Sequence, residues 1–326
     1  MTLSYVLPLR CDAACEGTHQ DLIAYLRTVG GLAEVLVVDG SGPAGFERHR
    51  GVWPPGVRHL RPDPDLGGRN GKVAGVLTGV RHAAGEHVVI ADDDVRWCAA
   101  GLRRVDALLD GAEVVRPQNY FDPAPWHALW DTGRTLINRC TGGDFPGTLA
   151  VRGSVLLEAG GYSGDVLFEN LELIRTVRAA GGREAVPLDL YVARRPPSTR
   201  RFLSQRVRQA YDDLAIHSRL AAALAVVPVV AWTGRRRPAA LGPLALSVVV
   251  LAEAGRRRAG GAAVFPARAS WLAPLWVLER GVCSWLALAS RLLLGGCRYR
   301  GVRIARAASS PAALRRDIAR SGRVGG

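Results

Sequence analysis

Three adjacent aspartates, Asp92, Asp93 and Asp94, follow the apolar run His87-Val-Val-Ile-Ala91. Neighbouring carboxylates repel one another and are costly to bury. Alternation along a strand puts Asp92 and Asp94 on one side and Asp93 on the other. Two oxygen donors converging at a strand end suit a hard divalent cation, Mg2+ or Mn2+, itself holding a phosphate. The competing reading is a solvated acidic turn. Lys72 is the sole lysine; every other residue among the 43 basic ones is arginine. A compact ammonium retained against that bias suits a phosphate, or else a solvated surface position. Asp39 closes a second apolar run, Glu34-Val-Leu-Val-Val-Asp39. It reads either as a partner for a nucleotide's base or ribose, or as a turn aspartate. Glu169 and Glu172 stand three apart on one face of an amphipathic stretch. One of them could be a general base. Both also complement a helix dipole near its N-terminus, and spacing alone favours that second reading.

Positioning these groups requires an α/β sheet. Residues 3–9 form a buried-type strand, 18–29 a helix stopped by Gly30-Gly31, and 34–39 a second strand. Strand, helix, strand implies parallel pairing, which puts Asp39 on the same sheet edge as Asp92. Ligands of open α/β sheets bind at that edge. A short strand over 57–61 and a loop over 62–71 lead into a helix from Lys72 to about residue 84, whose glycine-rich entry is a weak phosphate signal. Helices are expected over 100–109, 126–139, 154–159 and 168–178. Strands are expected over 113–116, up to 151, and over 185–193 as the last of the catalytic unit.

The composition changes after Arg194. Arginines surround Gln205 on an amphipathic segment of the kind that lies at a membrane interface. Apolar runs follow over 220–233, 239–254 and 271–294. The first two fall short of the roughly 20 residues that cross a bilayer, and the third contains Glu279, Arg280 and Arg291. Arg235-Arg236-Arg237 and Arg256-Arg257-Arg258 flank the second run on both sides. The positive-inside rule sends both triplets to the cytoplasm, which a single crossing between them does not satisfy. Either a run is re-entrant or interfacial, or arginine clusters do not decide topology here. The tail after Gly296 reads as basic and cytoplasmic or disordered.

The chain has 326 residues and a net charge of +14. An anionic membrane, a phosphorylated substrate or a nucleic acid could each account for that excess. The thickening of arginines beside the C-terminal apolar runs favours the membrane. No nucleic-acid-binding signature is present, so no nucleic-acid partner is expected. The six cysteines are scattered without a Cys-x-x-Cys pair, which reads as free thiols in a reducing compartment. The apolar N-terminal stretch is too short for a signal peptide and reads as a first strand.

Taken together, the motifs resemble those of the family 2 glycosyltransferases, and more nearly the membrane-bound branch that contains ceramide glucosyltransferases and bacterial relatives. Val37-Val38-Asp39-Gly40-Ser41 is similar to the motif that holds the nucleotide. Asn70-Gly71-Lys72 resembles the Asn-x-Lys element of that branch, and Asp92-Asp93-Asp94 the metal and diphosphate motif. Gly160-Gly161-Tyr162 with Glu169-Asn170-Leu171-Glu172 resembles the segment that carries the catalytic base. Gln205-Arg206-Val207-Arg208-Gln209 is similar to Gln-x-x-Arg-Trp.

The resemblance implies a GT-A type, Rossmann-like, mostly parallel sheet flanked by helices over 1–198. An interface segment over 199–213, membrane-associated helices over 214–295 and a basic tail over 296–326 follow. It implies inverting, divalent-metal-assisted transfer from a nucleotide sugar to a hydroxyl, on a lipid or polyprenyl acceptor, at the cytoplasmic side of the cell membrane. Asp39, Lys72, Asp92, Gln205 and Arg208 would bind the nucleotide sugar. Asp92 and Asp94 would hold Mg2+ or Mn2+, and Glu169 or Glu172 would be the base. Two residues depart from the pattern. Asn170 stands where the family has the aspartate base, and Gln209 stands where it has Trp. The alternative that Asn170 raises is a non-catalytic, membrane-bound nucleotide-sugar-binding relative.

Overall fold

The computed structural model describes residues 3–11 and 19–324. The chain begins β1 (Leu3–Leu9), α1 (His19–Gly30), β2 (Glu34–Asp39), α2 (Pro43–His49), β3 (Val57–Leu60) and α3 (Gly71–His82). Next come β4 (His87–Ala91), β5 (Val95–Arg96), α4 (Ala99–Leu109), β6 (Val114–Val115), β7 (Gln118–Phe121) and α5 (Trp126–Thr141). They are followed by β8 (Thr148–Arg152), α6 (Gly153–Glu158), α7 (Glu169–Ala179), β9 (Glu184–Ala185) and β10 (Tyr191–Arg194). The C-terminal third holds α8 (Thr199–Ser204), α9 (Arg206–Tyr211), α10 (His217–Arg236), α11 (Leu241–Arg257) and α12 (Ala267–Leu293). It ends with β11 (Cys297–Tyr299), β12 (Val302–Ile304) and α13 (Pro311–Val324).

Two compact units divide the chain. The first comprises Met1–Pro117, Pro146–Pro187 and Ser309–Gly326, and the second Gln118–Phe145 and Leu188–Ala308. In this partition 118–145 falls with the C-terminal helices and the end of the tail with the first unit.

The first unit is built on a seven-stranded sheet of order β3-β2-β1-β4-β8-β6-β9. The pairs β1–β2, β1–β4, β2–β3 and β6–β9 are parallel, whereas β4–β8 and β6–β8 are antiparallel. The expected mostly parallel, helix-flanked sheet is thus observed. Leu36, Val37, Val88 and Val89 are fully buried, as the unbroken apolar runs of two-sided parallel strands require. Chain order reverses between β1 and β4, so the carboxyl ends of these neighbours form the switch point at which such sheets bind ligands. α3 lies flush on β1 because Gly79 carries no side chain; a Cβ there would overlap Val6.

The expected single strand over 185–193 is instead two. β9 pairs with β6, and β10 pairs with β7 in the second unit. Pro187 falls between them and cannot donate to a ladder. Of the two readings of the tail, cytoplasmic or disordered, disorder does not describe residues 297–324, which carry β11, β12 and α13. Glu172 Oε2 accepts the Ser309 N–H at 2.6 Å and Arg175 donates to the Ser309 carbonyl at 2.7 Å, which fixes the entry to α13.

In the second unit α5 packs against α11 and α12 through Leu129, Leu136, Ala252, Phe265, Ala269 and Ala273. Arg139 of α5 is fully buried and donates to the carbonyls of Leu188 and Arg258 and to the Tyr191 hydroxyl, at 2.7–2.9 Å. The 199–213 segment is folded into this unit: Phe202, Arg206, Ala210 and Tyr211 are buried. Two helical stretches, Pro238–Ala263 and Ala267–Leu293, are long and apolar enough to cross a membrane.

Candidate active site

Asn70 starts the site. Its side chain caps α3 by accepting the Lys72 N–H at 3.2 Å, and its amide donates to the Val166 carbonyl. Its own N–H reaches the Gly164 carbonyl at 2.8 Å. One buried residue therefore orients the α3 N-terminus and anchors the loop that leads to Glu169. Such a cap contributes about 1 kcal/mol.

Lys72 then projects between two carboxylates. Its Nζ lies 2.6 Å from Asp92 Oδ1 and 2.8 Å from Glu169 Oε1. Burial works against the ammonium, yet the charges of Asp92 and Glu169 prevail and raise its pKa well above the usual lysine value. Asp92 is held at the end of β4 by its N–H to the Gly147 carbonyl, 3.0 Å. Asp93 and Asp94 beside it are half-buried. Tyr162, from the Gly160-Gly161-Tyr162 turn, is buried next to this cluster. Burial first, and the Glu169 carboxylate second, keep its phenol protonated.

Glu172 does not join the cluster. It is fully buried and committed to the Ser309 N–H. Of the two glutamates the site retains Glu169. Asn170, the departure from the family pattern, donates its amide to the Pro146 carbonyl at 2.8 Å. An ionised aspartate could not donate there, so the amide has a structural task of its own.

Asp39 lies on the expected edge, in register with Leu9, but its carboxylate is enclosed. It accepts the Ser41 N–H at 2.9 Å and meets His49 Nδ1 at 2.6 Å and His59 Nε2 at 3.1 Å. Burial raises its pKa, but the hydrogen bonds from Ser41 and His49 outweigh this and hold it below the ordinary aspartate range. His59 stacks on Phe46 at 4.1 Å, with Arg61 over the other ring system at 3.8 Å from the Phe46 centroid. Sequence reading missed His49, His59 and α2. The signal available was Pro43 at a helix start followed by Phe46 and His49 at helical spacing.

Gln205 and Arg208 belong to the second unit. Gln205 joins α8 to α9, and Arg208 lies over the Tyr299 ring at 5.8 Å. The neighbouring Arg206 is the buried arginine of the motif.

The half-buried carboxylates of Asp92 and Asp94 have the oxygen chemistry of a Mg2+ or Mn2+ site. Among the described residues no group of three His, Cys, Asp or Glu side chains could hold a metal ion. Asp92 follows the last residue of β4 and Asp94 lies in the turn after it, so the two do not alternate along a strand as expected; their carboxylates suit a cation that takes its remaining ligands from phosphate and water. A surface depression of about 490 Å³, lined by Leu3, Glu34 and Asp106 among others, lies at the amino-terminal edge of the sheet, away from this cluster.

No family model and no curated protein matches the chain. Solved structures do. A mannosyltransferase from Pyrobaculum calidifontis, determined with GDP-Man and Mn2+, superposes with a TM-score of 0.50 over 87% of this chain and 86% of that one, at 21% identity. Glucosyl-3-phosphoglycerate synthase from Mycobacterium tuberculosis, with Mn2+, UDP and phosphoglyceric acid, gives a TM-score of 0.40 at 21% identity over 61% and 72% of the two chains. S. aureus TarS gives 0.42 at 18% identity over 66% of this chain and 40% of that one. The likeness to the mannosyltransferase is one of fold: the chain has the GT-A type architecture.

Proposed function

We propose that the protein is a glycosyltransferase that moves a sugar from a nucleotide-sugar donor to an acceptor hydroxyl. The observation that carries this reading is the Asp92–Lys72–Glu169 cluster at the switch point of the sheet. The fold shared with a mannosyltransferase determined with GDP-Man and Mn2+ supports it. In this reading Asp92 and Asp94 would hold Mg2+ or Mn2+, and the bound cation would supply positive charge to the leaving diphosphate. Lys72 supplies a further positive charge to the phosphates. Glu169, whose Oε1 is held by Lys72, receives the acceptor's proton on Oε2 as the oxygen attacks the anomeric carbon in line, with inversion. Tyr162 remains a neutral hydrogen-bonding group beside that carboxylate. Asp39 acts through His49 and His59, which it orients towards the nucleotide side of the edge. Gln205 and Arg208 remain candidate ligands for the diphosphate.

The finer assignment is to the membrane-bound family 2 branch, with a lipid or polyprenyl acceptor and the catalytic unit on the cytoplasmic side of the cell membrane. The exposed apolar residues of α10 to α12 support the membrane part. The test is release of nucleoside diphosphate from UDP-, GDP- and dTDP-sugars by detergent-solubilised protein with a lipid extract, with and without Mn2+. Metal-dependent release from one donor is expected. Nucleotide binding without release from any donor would replace this reading by a non-catalytic binding protein.

A further inference from the structure

The arginine triplets that flank the second apolar run pose a topological conflict, and the second unit resolves it. Arg280 is the central residue of α12, which runs from Ala267 to Leu293. It is buried and donates to the Gln209 carbonyl at 2.6 Å, with Asp213 at 3.5 Å. Its neighbour Glu279 accepts from Arg206 at 2.6 Å, and Arg206 also binds Asp131 of α5 at 2.8 Å. The midpoint of α12 is thus tied to an ionic layer supplied by α5, α9 and residue 213. If α12 crossed a bilayer, that layer and the charged helix α5 would sit in the hydrocarbon core, where ionised groups are expensive.

The other side of α12 has the opposite character. Trp271, Leu275, Leu278, Val282 and Trp285 are each 41–67% exposed at three-to-four-residue spacing, and Leu292, 72% exposed, stands two turns further along the same stripe. Between its 3-10 flanks α11 is helical for only 17 residues, and its C-terminal flank breaks at Ala259 and Gly260, both at positive φ. At 1.5 Å per residue the α-helical part is about 25 Å long, so a crossing would need the 3-10 flanks as well, with an arginine triplet at each end. Arg235, Arg236 and Arg237 at the end of α10, Arg268 in the first turn of α12 and Arg291 in its last turn are exposed. Exposed tryptophans and arginines bordering an apolar stripe match the interface of an anionic bilayer.

We propose that α11 and α12 lie flat in one leaflet of an anionic membrane, and that neither crosses it. Both arginine triplets then stand on the same side of the membrane, which satisfies the rule that a crossing breaks. The proposal rests on the membrane reading above.

The test uses the full chain in a bacterial host, with Ala262→Cys before α12 and Leu294→Cys after it. Each is labelled with a membrane-impermeant maleimide in spheroplasts and in inverted vesicles, relative to the parent chain. Both positions are expected to label from the same side; labelling from opposite sides overturns the flat orientation alone. In a second measurement, flotation with phosphatidylglycerol-containing vesicles is expected to fall at least tenfold for Val282→Glu with Trp285→Glu, and to fall when phosphatidylcholine alone is used. Purified parent chain that floats with neither vesicle, or that covers the stripe by forming a dimer in solution, removes the membrane reading itself.

Discussion

Each unit contains a cation bridging two carboxylates, and the two bridges behave differently. In the first unit Lys72 joins Asp92 and Glu169 at 2.6 and 2.8 Å. In the second, Arg206 joins Asp131 and Glu279 at 2.8 and 2.6 Å. The lysine is a point charge on a flexible stem, and the Asp92 side chain remains 27% exposed. The arginine is 6% exposed, donates also to Gln209 at 2.8 Å and lies over the Phe202 ring at 4.4 Å. A fork with that many partners fixes helices, whereas a compact ammonium on the first turn of α3 has fewer partners to exchange. In the proposed function the first bridge belongs to the chemical site, and the second is a joint between helices.

The comparison is sharpest at Glu169. Glu169→Gln should lower kcat by roughly 10²–10⁴-fold, the usual contribution of a general base, while Glu172→Ala should act on stability through the lost Ser309 contact. Steady-state kinetics beside thermal melts separate the two; full activity in Glu169→Gln removes the assigned base. Arg206→Met should do the reverse. Leaving Asp131 and Glu279 buried without their partner should destabilise the fold by about 3–5 kcal/mol, as read by denaturant unfolding. A loss under 1 kcal/mol would show that the joint is not structural.

Asp131 supplies a pH test of the same joint. Burial alone would raise its pKa, but Arg134 and Arg206 lower it to about 2. A depressed carboxylate contributes stability above its unfolded pKa, near 4, and loses it as pH falls towards 2. That shift amounts to about 2 kcal/mol. Asp131→Asn should flatten the stability profile between pH 4 and 2, measured by urea midpoints. The smallest effect on stability is expected at Lys72. Lys72→Met should change unfolding free energy by less than about 1 kcal/mol, because Asp92 stays partly hydrated. Titration calorimetry should show weaker nucleoside diphosphate binding to that variant, and unchanged binding would detach Lys72 from the phosphates.

Much of the architecture was legible along the chain. The bounds of β1, β2 and β4 follow from unbroken apolar runs closed by charge or glycine, and the triple aspartate marks its strand end by itself. Such features depend on a few consecutive residues, so a linear reading recovers them. The aromatic and histidine layer around Asp39 was not legible, because α2 is short and its partner His59 comes from another strand. The single expected strand over 185–193 failed for a related reason: its two halves pair with different strands, and pairing is a non-local property.

The sequence by itself determined the sheet, its parallel core, the acidic strand end and the place of the lone lysine near it. Only the tertiary structure decided which glutamate faces the lysine. Glu169 and Glu172 share a helix face, yet Lys72 reaches the first across 97 residues of chain, whereas Ser309 captures the second from 137 residues away. Tertiary structure likewise gave Asn170 its partner at Pro146 and α12 its ionic midpoint. Carboxylates of identical chemistry on one helix diverge because charge, burial and hydrogen-bond partners are supplied by segments brought together only by folding.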